Sequence, residues 1–278
     1  MQLTLLIAAA LHCGGSPAPL PQQDSSGYVL VWNDEFDADG RPDPAKWDYE
    51  RGFERNREPQ WYQPGNATCK DGFLTIEARK ERVPNPNYDP ASNDWKKNRQ
   101  FAEYTSTSMI TRGKFQFRYG RVTLRAKIDV RKGSWPAFWM LGANRANGGW
   151  PACGEVDIME FYRGNLLANA CWQGTDKTIW DETKWPVAAW GGEKWAEAFH
   201  EWELMWDENS MVISVDGKVL NTIDVAAAKN ARRGNLPFRE DFFLLLNVAL
   251  GQGGEEIPDA HMPMRMVVDY VRVYQRPS

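Results

Sequence analysis

The octapeptide GEVDIMEF, residues 154–161, carries three carboxylates, at Glu155, Asp157 and Glu160, with no basic residue following until Arg163. Acids crowded on one surface repel one another, and the repulsion raises at least one pKa. A carboxylic acid that keeps its proton near neutral pH can donate it to a leaving group. A second, ionised carboxylate can attack the anomeric carbon of a sugar. Two carboxylates in these roles, roughly 5–5.5 Å apart, make a retaining glycosidase. A calcium-binding carboxylate cluster is the non-enzymatic rival, although calcium sites are usually built from loops that supply several oxygens. A solvated acidic edge strand is the plainest alternative. Against it stand Trp135, Trp139 and Trp150, all within the twenty-odd residues preceding the acids.

Positioning these acids demands a particular strand. In a regular strand Glu155 and Asp157 share one face with Val156 and Ile158 opposite, and Glu160 falls on the apolar side. An unpaired charge there is costly. One extra residue absorbed as a β-bulge near Ile158–Met159 shifts the register by one and returns Glu160 to the face of Glu155 and Asp157. The two glutamates are then four effective positions apart, about 13 Å along the backbone. Their side chains must lean together, and a concave sheet would help them do so.

Strand signals dominate from residue 28 onward. FLTIEA (73–78) and the segment 115–128 alternate, the latter with Val122, Leu124, Ala126 and Ile128 on one face. Residues 211–223 read as a hairpin around Asp216-Gly217, a pair suited to positive φ. FFLLLNVAL (242–250) is apolar enough to be covered on both faces, and 266–275 forms a last strand. Only 193–199 and 226–230 look helical. Many short strands joined by Gly/Pro-rich loops predict an all-β fold, a β-sandwich or jelly roll, in one domain spanning 28–278. The long polar loops at 51–68 and 85–98 are candidates for building a binding site.

The composition is that of a soluble globular protein: 42% hydrophobic, 25% charged and a net charge of −4. No basic run supplies phosphate contacts, which excludes a nucleic-acid partner. The chain holds 14 tryptophans. They serve either an aromatic core or a groove in which sugar faces stack on indoles. The start, LTLLIAAALHCGG, has an apolar run too short to span a bilayer and reads as an export signal over residues 1–13. Cys13 follows the run, so a lipid anchor at that residue is open beside a plain signal peptide. Residues 14–27 read as a flexible tether. The expected location is therefore secreted, periplasmic or cell-surface. Cys69, Cys153 and Cys171 show no metal-type spacing and leave one disulfide unassigned. With His only at 12, 200 and 261, a His/Cys zinc site is not expected.

WPAFWML followed by GEVDIMEF resembles the active-site strand of glycoside hydrolase family 16, in the bulged E-x-D-x-x-E form of its laminarinase-like branch. The resemblance covers residues 28–275 and extends to WNDEFD (32–37), NREPQWY (56–62), DGFLTIEA (71–78), 104–128, LLLNVALGQGG (244–254) and VDYVRVYQ (268–275). It implies a β-jelly roll whose concave sheet forms an open cleft for internal cleavage of a polysaccharide or glycan. It implies Glu155 as nucleophile, Glu160 as general acid/base and Asp157 as the residue that modulates the pair. It places Trp135 and Trp139 at the sugar subsites and Asn56, Glu58 and Trp61 in a cleft-lining segment. It implies no cofactor for catalysis, and a structural calcium at Glu35 and Asp269, whose alternative is a surface or salt-bridge role.

Two departures bear on the substrate. The family usually carries a cleft-facing His after the catalytic strand. Here that place falls to Cys171 or Trp172, with Cys171 opposite Asp157 if residues 163–165 turn the hairpin. The usual Arg after Y-T-S-x is Ser108. The expected function is a monomeric retaining endo-β-glycosidase. Its first substrate is a β-1,3- or mixed-linkage β-1,3/1,4-glucan. The alternatives are an endo-β-galactosidase acting on mucin- or keratan-type chains or marine galactans, a transglycosylase, and a non-catalytic carbohydrate-binding module.

Overall fold

The computed structural model describes residues 26–144, 148–251 and 254–277. The expected export signal, Cys13 and the tether as far as residue 25 lie outside the described residues. The strands run Val29–Asp34 (β1), Asp48–Tyr49 (β2), Gln60–Tyr62 (β3), Ala67–Lys70 (β4), Phe73–Pro84 (β5), Phe101–Ser106 (β6), Ser108–Ile110 (β7), Gly120–Lys127 (β8) and Ser134–Gly142 (β9). They continue with Glu155–Tyr162 (β10), Asn165–Gln173 (β11), Thr178–Asp181 (β12), Lys184–Pro186 (β13), His200–Trp206 (β14), Ser210–Val215 (β15), Lys218–Asp224 (β16), Phe242–Leu250 (β17) and Met264–Gln275 (β18). The α-helix is Glu193–Ala196 (α1).

Two sheets face each other. One has the order β16-β15-β14-β8-β18-β5-β6-β3, with β1 beside β18 and β4 beside β5. The other has the order β12-β11-β10-β9-β17-β7-β2, with β13 beside β11. This is the expected all-β jelly roll, with the difference that the β3–β6 pair runs parallel. The expected helix at 226–230 is a turn: Ala228 bonds back to Asp224 and the coil stops. The Asn230 N–H bonds forward to the carbonyl of Asn235 rather than back to Ala226, so the coil is not continued.

The core lies between the sheets, and the alternation of each central strand decides what reaches it. Phe242, Leu244, Leu246, Val248 and Leu250 of β17 enter the main core. Its other face, with Phe243 and Leu245, packs beneath the cleft against Ala137 and Trp139 of β9. That two-sided cover explains why β17 is apolar at every position but Asn247. In β9, Phe138 and Met140 point inward. Trp135, Ala137, Trp139 and Leu141 line the opposite side.

Two glycines fit the turn before β10 to this sheet. A Cβ on Gly142 would fall 1.9 Å from the carbonyl oxygen of Cys153. Gly154 sits at φ +83, where a Cβ would press on Phe242 and Pro237. The chain can fold back tightly here, which sets Trp150 over the start of β10.

Candidate active site

The bulge forms where the sequence predicts it. Against β9, Glu155 pairs with Leu141, Asp157 with Trp139, Met159 with Phe138 and Glu160 with Ala137. Five steps along β10 therefore match four along β9. Val156, Ile158, Met159 and Phe161 all enter the core. Glu155, Asp157, Glu160 and Tyr162 all line one cleft on the outer face of this sheet. Two adjacent apolar side chains, Ile158 and Met159, point inward together so that Glu160 can point outward.

The cleft has a volume of about 820 Å³. Trp135 and Trp139 lie on its floor with Asn247 and Ala249 of β17. Arg55, Asn56 and Glu58 come from the loop before β3. Leu167 and Asn169 of β11, with Trp180, Glu182 and Lys184, form the other side. Trp150, the most exposed large apolar side chain at 55%, stands at the rim.

Each acid is held by one neutral N–H donor. Trp135 Nε1 donates to Glu160 Oε1 at 2.6 Å. Trp150 donates to Glu155, and Asn169 to Asp157. Neutral donors compensate an ionised carboxylate only partly, and burial dominates. Desolvation, reinforced by Glu160, pushes Glu155 up to about 7 against the pull of Trp150 and Arg55. Desolvation likewise pushes Glu160 up to about 7, with Glu58 adding repulsion and Trp135 opposing it. Asp157 is raised well above its ordinary value by burial and by both glutamates. Three acids in this state share protons as one system.

Glu58 is nearly fully buried and receives Asn56 Nδ2 at 3.1 Å, Gln60 Nε2 at 2.7 Å and Tyr62 Oη at 3.2 Å. Trp61, between those last two on β3, points the other way. Its ring meets Phe53 edge-on at 5.3 Å, so it does not line the cleft. Strand alternation separates it from Gln60 and Tyr62.

Two further expected substrate contacts are displaced. The β10–β11 turn uses only Arg163-Gly164, at φ +46 and +79. With the bulge, this pairs Asp157 with Asn169 and Glu155 with Cys171. Cys171 is fully buried and outside the cleft lining. Trp172 faces the core and meets Phe238 edge-on at 5.9 Å. The residue opposite Asp157 is thus Asn169, which the two-residue turn and the bulge give only when counted together.

Trp180, Glu182, Lys184 and Asn247 were missed too, and so was Arg55. Its guanidinium pairs with Glu50 and lies 5.0 Å from the centre of the Trp139 ring. Ser108 Oγ donates to the same Glu50 at 2.6 Å. The arginine absent at position 108 is therefore balanced by a guanidinium from a different segment. No local pattern signals this, because Glu50, Arg55 and Ser108 meet only in the fold.

The expected calcium residues are each engaged by a cation. Arg272 grips Glu35 with Nε at 2.9 Å and Nη2 at 2.7 Å, and Asn33 adds a third bond at 2.8 Å. Asp269 pairs with Arg125. Calcium takes six to eight oxygens. Among the described residues no cluster of three His, Cys, Asp or Glu is placed to hold a metal. These two side chains, as held, do not fit that ion. Cys69, Cys153 and Cys171 are all free thiols.

Residues 59–261 match the family described as glycosyl hydrolases family 16. The chain belongs to that family. It is 34% identical over 267 residues to "Beta-glucanase" of Rhodothermus marinus, covering 89% of this chain and 85% of the relative. It is 33% identical over 279 residues to "Glucan endo-1,3-beta-glucosidase A1" of Niallia circulans, covering 90% of this chain but only 38% of that longer protein. The laminarinase catalytic domain of Thermotoga petrophila RKU-1 superposes with a TM-score of 0.73 at 36% identity, covering 90% and 99% of the two chains. A second solved structure comes from work on "endo-acting O-glycanases" that "initiate mucin breakdown". It superposes with a TM-score of 0.83 at 34% identity, covering 92% and 94%.

Proposed function

We propose that the protein is a retaining endo-β-glycosidase, on the strength of one observation: the bulge that sets Glu155, Asp157 and Glu160 on one cleft face. The Glu155 carboxylate attacks the anomeric carbon as the glycosidic C–O bond breaks. Glu160 gives its proton to the departing oxygen. Glu160, now ionised, takes a proton from water, whose oxygen attacks the same carbon. The ester bond breaks and Glu155 returns as carboxylate. Two displacements retain the β configuration. Asp157, between the two, holds a shared proton and limits the charge of the group. The intact triplet argues against a non-catalytic binding module, which would need the aromatics alone.

The substrate best supported is a β-1,3- or mixed-linkage β-1,3/1,4-glucan, since the relatives' names specify a β-glucan and, in one, the 1,3 linkage. One observation favours a second reading, an endo-β-galactosidase on mucin- or keratan-type chains: the O-glycanase structure superposes with a TM-score of 0.83 against 0.73 for the laminarinase. The apolar N-terminal run supports export, with or without lipid attachment at Cys13.

A digestion panel of laminarin, barley β-glucan, agarose, keratan chains and mucin, run with wild type and Glu155→Gln, tests the assignment. Wild type is expected to cut internally in at least one glycan, and Glu155→Gln in none. Cleavage surviving in Glu155→Gln would remove Glu155 from its role. A wild type inert towards every glycan would refute the enzyme reading.

A further inference from the structure

Asn169 has no role in the reaction described so far, yet its side chain is almost fully buried at the centre of the carboxylate cluster. It lies directly across the ladder from Asp157. The peptide N–H of Thr183 donates to its Oδ1 at 3.2 Å. A peptide N–H cannot accept, so rotating the amide by half a turn would set two donors face to face. The orientation of Asn169 is therefore decided by the backbone. Its Nδ2 is left to donate to Asp157. Thr183 is itself anchored, since its hydroxyl donates to the carbonyl of Ala168 at 3.2 Å. It sits between Glu182 and Lys184, both of which line the cleft.

An amide N–H can only donate, so Asp157 must offer it a lone pair in either protonation state. Any proton on Asp157 is then carried by its other oxygen. The charged and titratable groups that act on Asp157 are Glu155 and Glu160 on the same strand and Cys171 on β11, while Arg55 and Glu58 from the loop across the cleft act on those two glutamates.

We propose that Asn169, held by the Thr183 peptide, is a positioning residue that keeps one Asp157 oxygen as its acceptor and so fixes a proton shared within the triplet on the other oxygen. The inference rests on the glycosidase roles proposed for those carboxylates. It also links a cleft wall to the chemistry, because Glu182-Thr183-Lys184 contributes both cleft side chains and the peptide that orients Asn169.

Two variants separate donation from simple packing. Asn169→Asp keeps the shape and the acceptor for Thr183 but turns a lone pair on Asp157. Asn169→Ala removes both bonds. If donation matters, Asn169→Asp loses more activity than Asn169→Ala, about 100-fold against about 10-fold, mainly in kcat. If Asn169 only supports the fold, the order reverses, and that result overturns the proposal. A second measurement needs no turnover: the ¹³C carboxyl signal of Asp157, assigned by its loss in Asp157→Asn, followed against pH. Its midpoint should rise by about one pH unit in Asn169→Ala, and an unchanged midpoint also overturns the proposal. An inactive wild type would instead strike the glycosidase reading and leave the titration result standing.

Discussion

Two hairpins of this fold are built alike and used differently. The β10–β11 turn is Arg163-Gly164, at φ +46 and +79, and the β15–β16 turn is Asp216-Gly217, at φ +49 and +75. Both positions of each pair are left-handed, as the right-handed twist of a two-residue hairpin requires. Each hairpin also contains a register slip. In β15–β16, Ser214 faces Val219 and Ile213 faces Asn221, so Leu220 is the unmatched residue. Leu220 enters the core, and its carbonyl accepts Trp185 Nε1 at 3.2 Å. Asn221 then reaches across to the carbonyl of Ala168 at 2.9 Å and to Asp181 at 3.1 Å. The slip there ends with its polar groups paired and no charge added to the interior. In β10 the same device turns Glu160 toward Glu155 and Asp157, and desolvation raises the pKa of all three. A bulge is neutral in itself; the side chain it re-aims decides whether it stabilises the fold or loads it with reactive charge.

Deleting the inserted residue from each hairpin tests this comparison directly. Without Met159, β10 runs straight, and Glu160, now four positions from Glu155, stays on the cleft face with its spacing to Glu155 altered. Hydrolysis should fall about 10-fold, and unfolding free energy should fall by about 2–4 kcal/mol with the lost Met159 side chain. Without Leu220, the fold should lose about 2–4 kcal/mol, while the remaining folded protein keeps kcat within about 3-fold. Urea unfolding with initial rates per folded molecule reads both. Equal loss of activity in the two deletions would erase the distinction.

Glu155→Gln and Glu160→Gln should each lower kcat about 10³-fold or more, while raising stability in alkaline buffer. The sign follows from the raised values. With folded pKa values near 7 against 4.5, the folded chain binds more protons than the unfolded chain between those limits. Stability is therefore lost as pH rises through that window. Gln cannot ionise, so each variant should gain roughly 1–2 kcal/mol relative to wild type at pH 8 and almost nothing at pH 4, read as Tm. No gain at pH 8 would mean that the carboxylates ionise without strain.

Trp135→Phe sharpens the comparison further, because it removes the indole N–H that favours ionised Glu160. Wild-type kcat/KM should follow a bell with its acid limb near neutrality rather than near pH 4.5. The variant should lose about 10-fold and move its alkaline limb upward, as Glu160 holds its proton to higher pH. The mildest change is Asn221→Ala in the other hairpin. Losing three side-chain hydrogen bonds, to Ala168, Asp181 and the Thr222 N–H, should cost about 1–3 kcal/mol with little change in kcat.

Much of the fold was legible because period-two alternation, a nearly all-apolar β17 and an Asp-Gly turn are local signals. The bulge was legible for the same reason: a charged residue on the apolar side of a strand demands a register slip. The cleft was only half legible. Trp135, Trp139, Asn56 and Glu58 line it, but Trp61, Cys171 and Trp172 do not. Their placement turns on strand alternation in a three-residue β3 and on a hairpin turn one residue shorter than read. Arg55 and Asn169 were invisible because their significance comes from Glu50, Thr183 and Asp157, which only the three-dimensional fold brings to them.

The central claim, that β10 carries a nucleophile and an acid/base on one face, meets its most direct test in the first product of cleavage. ¹H NMR of the anomeric proton, recorded before mutarotation on whichever glycan is cut, should show the β anomer, as a double displacement through Glu155 requires. An α anomer appearing first would contradict the account, because it would mean a single displacement by water with no covalent role for Glu155.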